Sequence, residues 1–446
     1  MDDRALLQTE LFTHHVGTFA QPTGPDLLRR TEAFFEWQDT RRELGLWPYS
    51  RSLDYAPTAE CVVRNESGEA TAGINFASQD YLGLASHPAI AEAAHRAIRD
   101  YGPHSAGSGM FAGNTTPSLR LEKALGEALE APYVALFSSG WGAGFGVVTA
   151  LVRPSDHVVM DALAHSCLQT GAAAATQNVH RFRHLDNGGV RRRLHAIRSR
   201  DAENGILVVT EGLFSMDSDV PAIEELQGIC REYGATLLVD MAHDFGARGP
   251  RGTGSVGAQE MLGKVDLVMG AFSKTFASNG GYVASRSAAV RQYVRVFGAP
   301  HIFSNAISPV QATVVREALE IVRSDEGDHL RERLMHNVNA LRNHLARRGI
   351  QCIGIPSAVV PVPIGDAPTA RIAGRLVAGR HVFANLVEFP AVPLKGARFR
   401  MQVMATHTDE QVHHAASVVA DAIAEARAYV TGEVAEAARE EAAVAA

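Results

Sequence analysis

A lysine at the end of an apolar segment is the first residue in this sequence that suggests chemistry. The segment VDLVMGAFSKTFASNGGY (265–282) runs from apolar residues into Ser273 and Lys274 and then into a glycine-rich turn. Lysine is rarely fully buried, because its ammonium group must be paired or deprotonated. Lys274 is therefore either a strand-end lysine that reaches solvent or an amine that is kept uncharged for use as a nucleophile.

Polar residues follow several other segments of the same kind. Five short apolar segments predict β-strands: YVALF (133–137), HVVM (157–160), GILVVT (205–210), ATLLVD (235–240) and VDLVM (265–269). The residues that end or follow them include Ser139, Gly140, Trp141, His165, Glu211, Ser215, Asp240, His243 and Lys274. Ligands of open parallel sheets gather outside the carboxyl ends of the strands, so these side chains are expected to converge.

One cofactor, pyridoxal 5'-phosphate (PLP), requires a set of this composition. It needs a lysine for its Schiff base, an acid to keep its pyridine nitrogen protonated, and donors for its 3'-oxygen and phosphate. We predict that Lys274 forms the Schiff base and that Asp240 pairs with the ring nitrogen. The helix that begins at Gly140 and Trp141, preceded by Ser139, is predicted to bind the phosphate through its backbone N–H groups.

The elements that position these residues indicate an α/β protein. Strands alternate with helical segments from residue 69 to about 310, which is typical of a parallel sheet with helices on both faces. A long helical stretch (308–349) then leads to three further strand candidates, AVVPVPIG, VFANLVEF and RFRMQVM. We therefore predict an N-terminal arm (1–68), a large domain (69–310), a small C-terminal α+β domain (311–430) and a tail (431–446) that is a frayed helix or disordered.

Composition narrows the class of protein. The chain has 446 residues, of which 46% are hydrophobic and 20% charged, as in ordinary globular enzymes. Its formal net charge of -7 gives no reason to expect nucleic acid or an anionic membrane as a partner. Four scattered cysteines (Cys61, Cys167, Cys230, Cys352) show no metal-site spacing, and no signal peptide or membrane span is evident. We expect a cytoplasmic protein without a bound metal.

Two segments resemble a known family. VTEGLFSMDSDVPAIEELQGICREYGATLLVDMAHDFGARGPRGTG (209–254) and FSKTFASNGGY (272–282) are similar to the α-oxoamine synthases, and the likeness runs from NFASQDYLGLASHP (75–88) to RFRMQVMATHT (398–408). This resemblance implies a fold-type I PLP-dependent transferase of the aspartate aminotransferase type. It also implies a homodimer with active sites at the interface, where Ser278 or Asn279 would reach the partner's phosphate.

The resemblance implies roles for further residues. His165 is expected to stack on the pyridine ring, Ser215 and His243 to hydrogen-bond the 3'-oxygen, and Arg400 to bind the amino acid's carboxylate. Ser273 and Asn279 are further expected cofactor contacts, and Gln79 is an expected substrate contact.

Each of these residues also has a simpler interpretation. Asp240 could be a helix N-cap, and each histidine taken singly could be structural. Arg400 could form a surface salt bridge, and Ser215 could cap a turn. Only the shared strand-end context favours a common site.

The reaction implied by the resemblance is a decarboxylative condensation. An L-amino acid (glycine, alanine, serine or glutamate) would react with an acyl thioester of coenzyme A or acyl carrier protein, giving an α-amino ketone, CO2 and the thiol. Ala271, Gln79, Gly109 and Ser118 depart from the family's common pattern, and we expect them to widen the amino-acid pocket beyond glycine. The alternatives are an aminotransferase on the same fold and a non-catalytic partner subunit.

Overall fold

The computed structural model describes Leu7 and residues 9–432, so most of the predicted tail lies outside the described residues. The α-helices with both ends in this part of the chain are α1 (Glu10–Thr13), α2 (Glu32–Glu43), α3 (Pro88–Tyr101), α4 (Thr116–Ala128), α5 (Gly140–Leu151), α6 (Ser166–Ala175), α7 (Asn187–Arg198), α8 (Ile223–Glu232), α9 (Gly254–Ala258), α10 (Ala288–Phe297), α11 (Ala299–Ile302), α12 (Pro309–Val322), α13 (Asp325–Arg347), α14 (Ala367–Gly379) and α15 (Asp409–Thr431). The strands are β1 (Ser52–Leu53), β2 (Glu60–Arg64), β3 (Ala70–Phe76), β4 (Tyr133–Phe137), β5 (His157–Asp161), β6 (Val179–Phe182), β7 (Ile206–Glu211), β8 (Thr236–Asp240), β9 (Leu267–Ala271), β10 (Gly281–Ser285), β11 (Val359–Gly365), β12 (Val382–Val387) and β13 (Ala397–Gln402).

The larger sheet confirms the predicted α/β architecture. Its strand order is β4-β10-β9-β8-β7-β5-β6, and β9, β8, β7, β5 and β6 pair in parallel. Strand β10 runs antiparallel to both of its neighbours, β9 and β4. The five predicted strands are β4, β5, β7, β8 and β9. The sequence analysis did not identify β6 or β10.

The central strands are buried on both faces, which explains why they appear in the sequence as continuous apolar runs. All six residues of β7 are buried, as are four of the five in β8. Helices α5 and α6 pack with these strands in one hydrophobic core. Because the parallel strands end at the same edge, the residues that follow β5, β7, β8 and β9 meet there. The register places Glu211 directly beside Asp240.

The chain divides into two compact units. The larger contains Gln79–Ser215 and Asp219–Arg333, and the smaller contains the described residues of Met1–Ser78, Met216–Ser218 and Leu334–Ala446. The boundary after Arg333 lies later in the chain than the predicted domain start at residue 311. The division into units also places the N-terminal segment in the same unit as the C-terminal segment.

The smaller unit contains a sheet with the order β1-β2-β3-β12-β13-β11. Strand β3 pairs in parallel with β12, so N-terminal and C-terminal segments share one sheet. The sequence analysis did not identify β1 and β2 in the predicted arm, nor β3, which lies at the start of the predicted large domain. The three C-terminal strand candidates correspond to β11, β12 and β13.

Buried charges attach the arm to the rest of the smaller unit. Arg371 donates through Nε to Glu388 Oε1 at 2.8 Å, and both residues are buried. The same guanidinium donates to the backbone oxygens of Leu11 at 3.0 Å and His14 at 2.7 Å. These hydrogen bonds satisfy a charged group that would be costly to bury alone.

A second buried arginine lies within the arm itself. Arg41 is fully buried, and its guanidinium carbon lies 4.6 Å from the ring centroid of Trp37 and 5.6 Å from that of Trp47. It donates to the backbone oxygen of Leu46 at 2.8 Å and lies 3.9 Å from Glu388. The arm is therefore a packed part of the smaller unit. No helix in the described residues is long and apolar enough to cross a membrane.

Candidate active site

A cavity of about 270 Å³ lies at the carboxyl edge of the larger sheet. It brings together nine of the residues predicted from the sequence: Ser139, Gly140, Trp141, His165, Asp240, His243, Ser273, Lys274 and Asn279. All of them belong to the larger unit. The strand-end residues therefore converge as the parallel-sheet rule predicts.

Three residues with predicted substrate or 3'-oxygen contacts do not line this cavity, and neither does Ser278. Ser215 lies half-buried on the loop after β7, and Gln79 is the first residue of the larger unit. Arg400 lies on β13 of the smaller unit, with its Nη1 at 3.9 Å from Met216 Sδ. The substrate and cofactor roles of these three residues stay predictions.

Lys274 lies half-buried in the turn between β9 and β10 and lines the cavity. The turn is closed by the backbone N–H of Phe272, which donates to Gly280 O at 3.0 Å. Gly280 has a φ of +114°, and a Cβ there would lie 2.8 Å from Ile307 Cδ1. Glycine is favoured at this position, because a larger residue would be strained at this φ and would crowd Ile307.

Asp240 is the buried acid of the cavity. Its Oδ1 accepts the backbone N–H of Ala242 at 2.9 Å, and no α-helix begins directly after it. The N-cap interpretation is therefore wrong for Asp240. Burial raises its pKa, whereas the positive charge of Lys274 acts to lower it. A pyridinium nitrogen would supply the positive partner that this buried carboxyl favours.

His165 is held at the start of α6 by Cys167, which sequence analysis did not assign to the site. The His165 Nδ1 accepts the Cys167 backbone N–H at 3.3 Å and lies 3.0 Å from Cys167 Sγ. Because the backbone can only donate, Nδ1 is the unprotonated nitrogen, and the thiol is the second donor to it. Burial raises the pKa of the Cys167 thiol, which keeps its proton available. The nearest signal in the sequence was the position of Cys167, two residues after the predicted ring-stacking histidine.

Tyr81 is a second residue that the sequence analysis did not assign. Its hydroxyl lies 2.9 Å from His243 Nδ1, and both side chains are buried. The preceding Asp80 accepts the backbone N–H groups of Leu84 and Ala85, each at 2.9 Å, and burial raises the pKa of its carboxyl to about 6. The QDYLGL segment thus orients His243.

The end of the cavity formed by α5 is suited to an anion. Ser139 caps this twelve-residue helix by accepting the Gly142 N–H at 3.0 Å. A Cβ at Gly140 would lie 2.3 Å from Ala271 Cβ, and one at Gly281 would lie 2.6 Å from Gly140 Cα. These small residues let the helix N-terminus approach the ends of β9 and β10 closely. Backbone N–H groups there are unpaired within the helix and can bind a phosphate.

The loops around the cavity are joined by His184. Its Nδ1 lies 2.9 Å from Asp161 Oδ1 and its Nε2 lies 3.0 Å from Asp219 Oδ2. The ring also packs edge-on against Phe214, with centroids 4.5 Å apart. Asp161 begins the loop that carries His165, and Phe214 and Asp219 flank the loop of Ser215. His184 therefore links two loops that carry predicted cofactor contacts.

The observed groups fit PLP. An amine (Lys274), a buried acid (Asp240) and a helix N-terminus suited to a phosphate lie around one cavity, which is the donor set that this cofactor requires. His165 provides an aromatic ring at the same cavity.

Comparisons with known proteins agree with this geometry. The aminotransferase class I and II family model matches residues 71–419. A protein of Geobacter metallireducens named 8-amino-7-oxononanoate synthase is 34% identical over 344 residues, covering 77% of this chain and 87% of the relative. A serine palmitoyltransferase of Sphingobacterium spiritivorum is 32% identical over 371 residues, covering 83% and 90%.

Solved structures give the same result. A high-resolution structure of SPT with the PLP internal aldimine has a TM-score of 0.83 at 26% identity and covers 90% of this chain and 99% of that one. The chain therefore belongs to the aminotransferase class I and II family and, within it, to the α-oxoamine synthases, which are PLP-dependent acyltransferases with the fold-type I architecture.

Proposed function

We propose that this protein condenses an L-amino acid with an acyl thioester and releases CO2 and the thiol, giving an α-amino ketone. The observation that carries the proposal is the presence of Lys274 and Asp240 in one cavity, at the carboxyl ends of the adjacent strands β9 and β8. The acyl carrier is coenzyme A or acyl carrier protein. The four unpaired cysteines suit a reducing compartment such as the cytoplasm.

Each of these cavity residues has a separate role in the proposed reaction. Bound PLP supplies an electron-accepting ring that stabilises negative charge at the amino acid's α-carbon. Asp240 would hold the ring nitrogen protonated, His165 would provide a ring for stacking, and the N-terminus of α5 at Gly140 would hold the phosphate. The Nζ of Lys274 takes the α-proton, and it returns a proton to the same carbon after CO2 has left. In between, the α-carbon bonds to the thioester carbonyl carbon and the thiolate departs.

The resemblance to the family supports roles for four further residues, of which His243 lines the cavity. Arg400 binds the amino acid's carboxylate through its planar guanidinium, with Gln79 on the substrate side. Ser215 and His243 donate to the cofactor's 3'-oxygen, and Tyr81 orients His243. A group that holds the substrate's carboxylate would orient the amino acid for proton removal by Lys274.

The preference for amino acids larger than glycine rests on Ala271, which lines the cavity. The other small residues have local structural roles. A Cβ at Gly109 would lie 2.9 Å from His301 Cε1, and Ser118 is buried in a capping box with Thr115 at the start of α4. Ala271 itself lies against Gly140 at the phosphate end of the cavity, so the wider pocket stays a prediction that the product analysis below tests.

A homodimer completes the proposal. The larger unit exposes Phe303 (86%), Phe111 (80%) and Trp141 (46%), and Trp141 also lines the cavity. The segments of Phe111 and Phe303 are joined by the Ala306 N–H, which donates to Gly107 O at 2.9 Å. Exposed aromatic side chains next to a cavity are typical of an interface, and a second copy of this chain is the proposed occupant. Ser278 or Asn279 would then reach the partner's phosphate.

Two measurements test the proposal. Borohydride reduction of the PLP-loaded protein followed by peptide mapping should place a pyridoxyl label on Lys274, and the Lys274→Ala variant should lose both the label and turnover. Mass spectrometry of products from glycine, alanine, serine and glutamate with acyl thioesters should reveal an α-amino ketone. Conversion of the cofactor to pyridoxamine without CO2 release would instead indicate an aminotransferase, and an unlabelled Lys274 would indicate a non-catalytic subunit. Preference for glycine would contradict the wider pocket.

A further inference from the structure

Two carboxyl groups, those of Glu211 and Asp240, line the cavity and together are called its floor here. One carboxylate would suffice to pair with a ring nitrogen. Glu211 is the last residue of β7 and Asp240 the last of β8, and the two are direct register partners. Register partners on neighbouring strands point to the same face, with their backbones about 5 Å apart. Both side chains are buried, at 5% exposure each, and both line the cavity. The function proposed above gives a role to Asp240 only.

Ionising both of two adjacent buried carboxyl groups costs a large free energy. Like charges this close raise the proton affinity of one member strongly, as in pairs of acids that share one proton. The positive charge of Lys274 acts to lower the pKa of both Glu211 and Asp240. Asp161, at the end of β5, adds a further repulsive carboxyl on the side of Glu211. The floor therefore has more acid than the neighbouring positive charge balances.

The surroundings decide which acid keeps the proton. Asp240 accepts the Ala242 N–H at 2.9 Å and is stabilised as an anion by the positive charge of Lys274. Glu211 accepts the backbone N–H of His165, but the carboxylates of both Asp240 and Asp161 oppose its ionisation. Burial raises the pKa of Glu211 well above its ordinary value, and the Asp240 charge raises it further. Asp240 is the better anion of the two.

We propose that Glu211 is protonated at neutral pH and acts as a positioning residue, the neutral half of a two-carboxyl floor whose anionic half is Asp240. A neutral Glu211 leaves a single negative charge on the floor, which matches a single pyridinium nitrogen. It also accepts the His165 N–H through its carbonyl oxygen, which holds the loop of the ring-stacking histidine. This inference deepens the proposed function and rests on it for the identity of the cationic partner.

The proton is tested first without the cofactor, so that the result does not depend on the proposed function. The infrared spectrum of the cofactor-free protein at pH 7 should contain a protonated-carboxyl C=O band that is absent from Glu211→Gln. Asp244→Asn is the matched comparison, because Asp244 is a buried acid that does not line the cavity, and this variant should leave the Glu211 band in place. A band that is absent from the wild type, or one that is retained in Glu211→Gln, would overturn the proposal.

The PLP-loaded protein gives a second readout. Glutamine is isosteric with the neutral acid and uncharged, so the pH midpoint of the bound cofactor's colour change should stay within about 0.3 units in Glu211→Gln. Removing a charged Glu211 would lower that midpoint by about one unit or more, and this shift would contradict the proposal. Glu211→Ala, which lacks the acceptor for the His165 N–H, should bind PLP about tenfold more weakly. If Glu211→Ala bound PLP as tightly as the wild type, the positioning role would be wrong.

Discussion

At the scale of single residues, the site depends on which atoms hold protons. In the proposed site, Asp240 pairs with the ring nitrogen only as an anion. The Cys167 thiol can only donate to His165 Nδ1, because this nitrogen already accepts a backbone N–H and carries no proton. Burial acts in the required direction on the thiol, since it raises the pKa of Cys167 and preserves the S–H group. The geometry of His165 is therefore set by a side chain that itself takes no part in proton transfer.

Cys167 variants test this arrangement. Cys167→Ser keeps a donor at the same position and should leave the PLP dissociation constant within about twofold, whereas Cys167→Ala should raise it about three- to tenfold, because one net hydrogen bond is lost. The measurement is a titration followed by the visible absorbance of bound PLP. Cys230→Ala is the matched control, because Cys230 is equally buried but lies in α8 and does not line the cavity. Equal losses in both alanine variants would contradict a specific role for Cys167.

At the scale of elements, the loops at the carboxyl edge are joined by an imidazolium between two carboxylates. Burial alone would lower the pKa of His184, but hydrogen bonds to Asp161 and Asp219 outweigh it and raise this pKa to about 10. A histidine pKa that is higher in the folded protein than in the unfolded chain stabilises the fold fully below pH 6.5. That stabilisation declines as the pH rises from 6.5 through about 10.

His184→Gln should consequently be destabilised most at low pH. We expect a loss of about 1–3 kcal/mol at pH 6, since two hydrogen bonds to charged groups are removed, and a smaller loss at pH 9.5. Calorimetric melting temperatures at the two pH values measure the difference. The variant should also bind PLP more weakly, because its loops carry His165 and Ser215.

His157→Gln is the control for His184→Gln. His157 also pairs with an acid, Asp201 at 3.0 Å, but it lies at the opposite end of β5. It should retain the PLP affinity of the wild type. A melting-temperature difference between His184→Gln and the wild type that grows as the pH rises would show that the two carboxylates do not hold a charged His184.

The sequence predicts those strands that consist of a continuous run of large apolar residues. The central strands β5, β7, β8 and β9 were predictable because they are buried on both faces. Strand β6 (VHRF) and strand β10 (GYVAS) carry too few large apolar residues to show this pattern. The predicted helix over residues 308–349 is in fact two helices, α12 and α13, because the chain breaks near Arg323 and Ser324.

Some residues of the candidate site were also predictable from the sequence, and others were not. Lys274 and Asp240 were predictable because they directly follow apolar strands. Cys167 and Tyr81 were not assigned, and Glu211 was expected at the strand ends without a role. Tyr81 contacts His243 from a distant segment, whereas Cys167 acts on His165 through local helix-start geometry. Spacing along the chain contains no signal for a hydrogen bond that joins residues 162 positions apart.

At the scale of the whole molecule, the exposed aromatics of the larger unit predict association. Phe303→Glu should convert a dimer into monomers, because a buried carboxylate at an apolar interface is costly. Sedimentation velocity on the PLP-loaded protein measures the change. Leu28→Glu is the control, since Leu28 is 81% exposed but belongs to the smaller unit. A wild type that sediments as a monomer, or dissociation caused by Leu28→Glu alone, would contradict the proposed interface.

The buried charges of the arm bear on how this chain can evolve. Arg371 and Glu388 lie far along the sequence, yet the backbone oxygens of Leu11 and His14 and the guanidinium of Arg41 are among the groups around them. Loss of the segment that contains Leu11 and His14 would thus leave two N–H groups of the buried Arg371 guanidinium without acceptors, 360 and 357 positions further along the chain. Substitutions in this segment should consequently be tolerated as in a protein interior, with variation confined to the outward-facing positions.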